Sequence, residues 1–355
     1  MNPLKLLYVE DKEEDLNTCR DTVVRYEYQT KRNIELVVVR TVTEALDKID
    51  RTYDGAIVDL KLDHDWDDGL KVIDAIRGRA RMPIAILTAT PQHADNSDSV
   101  GYLGVYKKGE IGYDQLFEIF FQVYDTGLTK IMGGRGLIDT TMDKIFWGHM
   151  IPLLDDWKGY SAEGKSTERI LLRFAVNRLF ELLDDDEDIF VPEEMYICPP
   201  LGTHVKTGSL VRAKDTGCHY AVLSPACDLV LRNGKPKTTH ILYCEIEELD
   251  LVIKEITANK NSRDRKDAIQ DLIRNTYCHY YHFLPQTKLV AGGLVNFRKA
   301  VTAEPESFEN TFGQPTAQIS GAFTKDLVAR FSSYYARQGQ PNFDTKALSS
   351  SLSSG

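Results

Sequence analysis

The sequence predicts an α/β first domain built on a doubly wound, five-stranded parallel sheet, then a helical connector, then an α+β domain containing a small β-barrel. Three observations carry this. Apolar strand-like runs alternate with helical stretches about five times between Leu4 and the segment after Tyr113. Carboxylate, hydroxyl and ammonium residues stand at the C-terminal ends of those runs. From Val191 onward the texture changes to short β-like runs separated by Gly, Pro, Asn and Lys.

Leu4 to Val9 is a nearly continuous apolar run, as expected of a strand buried on both faces. Asp15 to Tyr26 has helical spacing, with Leu16, Cys19, Val23 and Val24 on one side. Ile34 to Val39 is a second strand and Thr43 to Ile49 a second helix. Asp54 to Leu60 is a third strand and Leu70 to Ile76 a third helix. Pro83 to Leu87 is a fourth strand, ending at Thr88. Val100 to Tyr106 is a fifth, ending at Lys107 and Lys108. From Tyr113 an amphipathic helix is predicted to run on to about Met132, where Gly133-Gly134-Arg135-Gly136 breaks it. The stretch between Thr88 and Lys107 is short for a full helix.

At 355 residues the chain has room for about two domains, at roughly 150 residues each. A hydrophobic content of 42% with 27% charged residues is that of a soluble globular protein. The net charge of −10 argues against a general nucleic-acid coat, because polyphosphate binding is driven by Lys and Arg. There is no run of about 18 apolar residues and no signal-peptide pattern, so a cytoplasmic protein without a membrane span is expected. Six scattered cysteines are expected to be thiols rather than a disulfide framework. The expected divisions are residues 1–130, a connector over 131–190, a second domain over 191–345, and a disordered Ser-rich tail over 346–355.

In doubly wound sheets, ligands sit at the C-terminal ends of the strands. Here those ends carry Glu10, Asp11, Asp59, Thr88 and Lys107 or Lys108. Three carboxylates brought close repel unless a cation neutralises them, and hard oxygen ligands suit Mg²⁺. Beside such an ion Asp59 would be an ionised nucleophile for a phosphoryl group. Thr88 would hydrogen-bond one phosphoryl oxygen and a lysine would neutralise another.

Together these residues resemble a receiver domain of two-component response regulators, with the flavodoxin-like fold. The matching stretches are Tyr-Val-Glu-Asp (8–11), Ile-Val-Asp-Leu (57–60), Asp-Asp-Gly-Leu (67–70), Ile-Leu-Thr-Ala (86–89) and Tyr-Lys-Lys-Gly (106–109). The resemblance implies that Asp59 is the phosphoacceptor and Thr88 the switch hydroxyl. It implies Mg²⁺ held by Glu10, Asp11, Asp59 and the backbone carbonyl of Lys61. It also implies a sensor histidine kinase or phosphotransfer protein as donor. Lys107 is favoured as the pocket lysine because it closes the apolar strand, with Lys108 the alternative. The chain departs from the family pattern in three places. Neither lysine precedes a proline. The switch aromatic is replaced by Gly104 or Val105, flanked by Tyr102 and Tyr106. The loop after Asp59 is enlarged by Asp63, His64, Asp65 and Trp66.

Beyond the first domain, Leu137 to Leu154 and Ser166 to Leu183 have helical patterns, the second capped by Thr167. They would form a signalling helix, a dimerisation element or an output module. His149 is the only histidine there, and its Gly148 neighbour and apolar context favour a structural role. Asp184 to Asp188 is read as a solvated acidic run, with a cation site as the alternative.

In the second domain, strand-like runs fall at 195–197, 209–212, 220–223, 240–246 and 289–297. Helices are predicted over 260–275 and 325–337, the latter stopped by Gly339 and Pro341. Residues 207–211 and 221–225 resemble the barrel of toxin-type endoribonucleases. Residues 193–197, 224–229 and 282–285 resemble an uncharacterised bacterial domain coupled to defence modules, which implies a role in stress or anti-phage defence. Cys218, His219, Cys227, Asp228, His240, Cys244, Cys278, His279 and His282 lack the paired spacing of a zinc site, so small core thiols and pocket histidines are favoured. Cys227 and Asp228 with His282 would make a nucleophile and base if the fold joined them. Arg263, Arg265, Lys266, Arg330 and Arg337 are read as solvated helix faces, with a nucleic-acid patch as the alternative.

The functional expectation is a phosphorylation-controlled regulator with an unknown protein or nucleic-acid partner for its second domain and a homodimer as one arrangement. The alternatives are a receiver-gated, nuclease-like catalytic effector and a phosphorylation-independent interaction scaffold.

Overall fold

A computed structural model describes residues 3–62, 68–94, 102–164, 166–181, 189–232, 234–337 and 343–353. The chain divides into two compact units, Met1–Asp186 and Glu187–Gly355.

The first unit begins with β1 (Leu4–Val9), α1 (Glu13–Thr30), β2 (Ile34–Val39), α2 (Val42–Lys48), β3 (Gly55–Val58), α3 (Asp68–Arg79), β4 (Ile84–Thr88), β5 (Tyr102–Lys107) and α4 (Tyr113–Asp125). All five strands are parallel, in the order β2-β1-β3-β4-β5. That order places the switch point between β1 and β3, where doubly wound sheets bind ligands. Strand periodicity explains the two cores. Leu7, Val9, Ala56 and Val58 pack on α2 and α3 residues, while Leu6, Tyr8 and Ile57 face Leu16 and Cys19 of α1 and Phe117 and Phe120 of α4. Between β4 and β5 the described residues form one 3₁₀ turn, Pro91–His93. The loop residues Asp63, His64, Asp65 and Trp66, and the acidic run 184–188, lie outside the described residues.

Gly69 opens α3 directly behind β3. A Cβ there would collide with the backbone of Asp59 and Leu60, so only glycine lets the helix start this close to the strand end. This anchors the turn that follows Asp59.

The helix predicted from Tyr113 to Met132 is instead broken. Gly127 adopts φ +83°, which ends α4 and starts a separate α5 (Leu128–Met132). Next come α6 (Leu137–Ile145), α7 (Leu154–Ala162) and α8 (Thr167–Glu181). A π turn (Phe146–Met150) and a 3₁₀ turn (Ile151–Leu153) join α6 to α7, because Pro152 cannot donate an interior helix hydrogen bond. Thr167 is the first residue of α8. Two ion pairs tie this region to the sheet domain: Arg135 to Asp54 at 2.8 Å and Arg81 to Asp139 at 3.1 Å. Trp157 of α7 packs edge-on against Phe174 of α8 and donates its indole N–H to the Met150 carbonyl.

The second unit is α+β. Its strands are β6 (Tyr196–Ile197), β7 (Ser209–Arg212), β8 (His219–Val222), β9 (Leu231–Arg232), β10 (Lys235–Pro236), β11 (Ile241–Glu247), β12 (Tyr281–Leu284), β13 (Gly293–Ala303) and β14 (Ala317–Ile319). Its helices are α9 (Ala226–Leu229), α10 (Leu249–Thr257), α11 (Ser262–Ile273), α12 (Pro305–Thr311), α13 (Gly321–Tyr335) and α14 (Thr345–Ser353). Seven strands form one antiparallel sheet in the order β12-β13-β11-β8-β7-β14-β6, and β9 and β10 form a separate ribbon.

The α+β class expected from the sequence holds, and the small barrel takes the form of an open half-barrel. Its edge strands β12 and β6 share no ladder. Instead Tyr196 of β6 donates its hydroxyl to the carbonyl of Pro285, just past β12, at 2.8 Å. The sheet therefore curls into a half-barrel that a side chain spans. One face packs Leu210, Cys244, Leu284 and Phe297 under α13, and the other packs Val211, Val222, Phe308 and Phe312. The tail expected to be disordered forms α14, whose serine hydroxyls bond back to carbonyls three or four residues earlier. No described helix is long and apolar enough to cross a membrane.

Candidate functional site

The site lies where β1, β3 and β5 end. Continuing β1 puts Glu10 at the sheet edge, where its N–H still donates to the Val39 carbonyl. Continuing β3 puts Asp59 beside it, with its own N–H on the Val9 carbonyl. Glu10 is fully buried and Asp59 is 2% exposed. Ligand atoms of Glu10, Asp11 and Asp59 all lie within 4.8 Å of one another. Among the described residues this is the only such group of three or more His, Cys, Asp or Glu side chains.

One ammonium holds these charges together. Lys108 donates to Asp59 Oδ2 at 2.7 Å, to Asp15 Oδ2 at 2.8 Å and to Glu10 Oε2. Lys107, favoured from the sequence, is instead exposed and paired with Glu110 at 2.8 Å. The correction follows from strand parity. Val105 and Lys107 point outward on β5, so Tyr106 and Lys108 share the inner face. The backbone of Lys108 is fixed as well, its N–H donating to the Thr88 carbonyl.

Burial alone would lower the Lys108 ammonium's affinity for its proton, but the hydrogen bonds to Asp15, Asp59 and Glu10 outweigh it and raise the pKa. Burial pushes the Glu10 carboxyl up, against the lowering pull of Lys108. Three carboxylates act on one cation, so the lysine stays charged throughout the neutral range.

Thr88, fully buried at the end of β4, accepts a hydrogen bond from the Thr90 N–H at 3.4 Å. The Lys61 N–H donates to Asp59 Oδ1 at 3.3 Å, which folds the turn after β3 back over the carboxylate. Of the two positions the sequence offers for a switch aromatic, Gly104 carries no side chain. Val105 is exposed, and the Tyr106 ring lies back along its own strand with its hydroxyl on the Leu103 carbonyl.

Two features escape sequence reasoning. Asp15 joins the pocket from the first turn of α1, and no motif marks it. Tyr8, fully buried, donates to Glu10 Oε2 at 3.2 Å and shares a 2.7 Å hydrogen bond with the Tyr113 hydroxyl at the start of α4. Burial raises the pKa of both phenols, so they stay neutral. The signal for Tyr8 was its strand position, two residues before Glu10 on the same face.

Solved structures similar to the N-terminal third of this chain include three receiver domains. One is a CheY-like response regulator receiver domain protein from Methanospirillum hungatei JF-1, 21% identical over 35% of this chain and 96% of that chain, with a TM-score of 0.28. Another is the N-terminal domain of a response regulator/sensory box/GGDEF 3-domain protein from Carboxydothermus hydrogenoformans, 22% identical over 35% and 98% of the two chains, TM-score 0.28. A third is a CheY-like receiver domain from Methylobacillus flagellatus, 18% identical over 34% and 99%, TM-score 0.28. No protein-family model and no curated protein matches the chain. Residues 4–125 have the flavodoxin-like doubly wound fold, the fold of receiver domains. That assignment rests on the parallel β2-β1-β3-β4-β5 sheet.

The other predicted site residues do not converge. Cys227 sits exposed and Asp228 half-buried on α9 after β8, with the thiol on Asp228 at 3.7 Å. His282 lies on β12, three positions from β8 in the sheet, 1% exposed beneath α13. No nucleophile–base pair forms from them. Nor does any cluster form among Cys218, His219, His240, Cys244, Cys278 and His279. His149 is exposed in the π turn rather than packed. Arg263, Arg265 and Lys266 are exposed on α11, whereas Arg330 bonds the carbonyls of Asn275 and Tyr281 and is not available to such a patch. Arg337 is exposed beyond α13.

Two outcomes follow. In urea titrations of the full chain with chelator present, Lys108→Met should cost the first unit about 3–5 kcal/mol, because it leaves buried carboxylates without their cation. Lys107→Met should stay within about 0.5 kcal/mol. Equal effects would place both lysines outside the pocket. The second outcome concerns His282, which burial and then the Arg330 charge hold down to about 4. The unfolded chain takes up this proton first, near pH 6.5. Stability of the second unit should therefore be full above pH 6.5 and fall by up to roughly 3 kcal/mol toward pH 4. His282→Leu should flatten the denaturation midpoint across that window, and an unchanged slope would assign the acid loss to another group.

Proposed function

We propose that the chain is a phosphorylation-controlled response regulator. Its first unit accepts a phosphoryl group on Asp59 from the phosphohistidine of a sensor histidine kinase or phosphotransfer protein. Residues 131–190 connect it to an output domain over 191–345. The observation that supports this most is one lysine bridging two of three carboxylates that lie within 4.8 Å of one another at the sheet's switch point.

The donor set fits Mg²⁺. It is all oxygen, and it carries more negative charge than Lys108 balances. Glu10, Asp11, Asp59 and the Lys61 carbonyl would hold the ion. When bound, Mg²⁺ supplies the positive charge that lets a dianionic phosphoryl group enter an acidic pocket. Glu10 and Asp11 orient that charge beside Asp59. An Asp59 oxygen attacks phosphorus while the P–N bond of the donor breaks, and the departing imidazole keeps the electron pair and takes up a proton. Lys108 moves one hydrogen bond onto a phosphoryl oxygen, and Thr88 donates its hydroxyl to another.

The phosphoryl group adds nearly two negative charges at pH 7 in place of one. Lys108 and Thr88 are the groups that respond, so the ends of β4 and β5 carry the change outward. The Tyr8–Tyr113 hydrogen bond gives α4 a second link to the pocket.

The full chain, incubated with Mg²⁺ and ³²P-labelled acetyl phosphate or a phosphorylated kinase, should take up label that Asp59→Asn and chelator both abolish. Label retained in Asp59→Asn, or no label from any donor, contradicts the proposal.

A further inference from the structure

The Lys108 ammonium has three N–H donors. All three are used, on Glu10, Asp15 and Asp59. Glu10 and Asp59 belong to the candidate metal and phosphoryl site. Asp15 does not. It comes from a different element, the first turn of α1, and its side chain is 31% exposed at the rim of the pocket. On the phosphoacceptor reading, Lys108 must give one hydrogen bond to a phosphoryl oxygen on Asp59. Glu10 and Asp59, if they held Mg²⁺, would have less charge to offer the ammonium. Asp15 is then the carboxylate that remains to hold it.

We infer that Asp15 is a positioning residue that tethers Lys108 at the pocket rim and competes with the phosphoryl group for its ammonium. Two effects act in the same direction. The hydrogen bond at 2.8 Å draws the ammonium toward α1. The carboxylate charge also stands next to the lysine that a dianionic phosphoryl group must reach. Asp15 therefore sets how tightly the pocket grips a phosphoryl group once Mg²⁺ is in place. It takes no part in bond making or breaking. This inference rests on the phosphoacceptor reading of Asp59.

The test uses the full chain and two titrations followed by calorimetry: Mg²⁺ alone, and beryllofluoride at saturating Mg²⁺. Asp15→Asn should tighten beryllofluoride binding about two- to fivefold, the range expected for one partly exposed ion pair. The same change should leave Mg²⁺ binding equal or weaker, because a nearby negative charge is gone. Asp15→Ala should move both in the same directions, and Asp15→Glu should restore wild-type values. A purely structural role for Asp15 would weaken both titrations together and lower the melting temperature. That result, or unchanged beryllofluoride affinity in a chain that binds it, overturns the role given to Asp15 alone. Absence of Asp59-dependent beryllofluoride binding in the wild-type chain overturns the phosphoacceptor reading, and the Asp15 role falls with it.

Discussion

The Lys108 ammonium, held between Glu10, Asp15 and Asp59, is the interaction on which the first unit's chemistry depends. It ties the end of β5 to carboxylates 49 to 98 residues earlier in the chain. β1 delivers Glu10, β3 delivers Asp59 and α1 delivers Asp15, while the strand end at β5 delivers the cation. Burying one carboxylate without a partner costs several kcal/mol, and here two are almost fully buried side by side. One lysine cannot neutralise them all. The metal-free pocket is therefore left with excess negative charge, and a hard divalent cation is the natural complement.

How much of this was legible from the sequence depended on whether a rule has a fixed period. β1 and β2 are read to the residue because parallel strands buried on both faces are continuous apolar runs. Glu10, Asp59 and Thr88 follow, since each stands where such a run stops. Of the two lysines the sequence offered, the favoured Lys107 is exposed and the alternative Lys108 lies at the carboxylates. Ending the apolar run at Tyr106 points to Lys107, but side chains alternate, and the inward Tyr106 makes Lys108 the inward lysine. Asp15 was not legible at all, because a carboxylate in a first helical turn is common and gives no sign of its partner. Gly127 was visible in the sequence, yet a single glycine within a helical pattern does not announce a left-handed residue.

The second unit was harder for a physical reason. Its strands are short, and what decides open sheet against closed barrel is pairing between distant segments, which local pattern does not encode. β6 has only two residues, too few to close a ladder with β12, and the Tyr196 hydroxyl bridges that distance instead. The polar residues that drew notice there are separated by the same geometry. Cys227 faces solvent while His282 lies sealed under α13 with no protein hydrogen bond to either ring nitrogen. The ring nitrogens of His282, left without hydrogen bonds, cost stability at every pH, and acid adds the cost of keeping the ring neutral.

The most direct test is the location of Lys108 Nζ in crystals of the full chain, grown without metal and with Mg²⁺ and beryllofluoride. The account predicts that the metal-free ammonium bonds Glu10, Asp15 and Asp59, and that in the loaded state it leaves Glu10 and bonds a fluorine atom on Asp59. A Lys108 that keeps its contacts with Glu10 and Asp59, with no metal bound between the carboxylates, would contradict it.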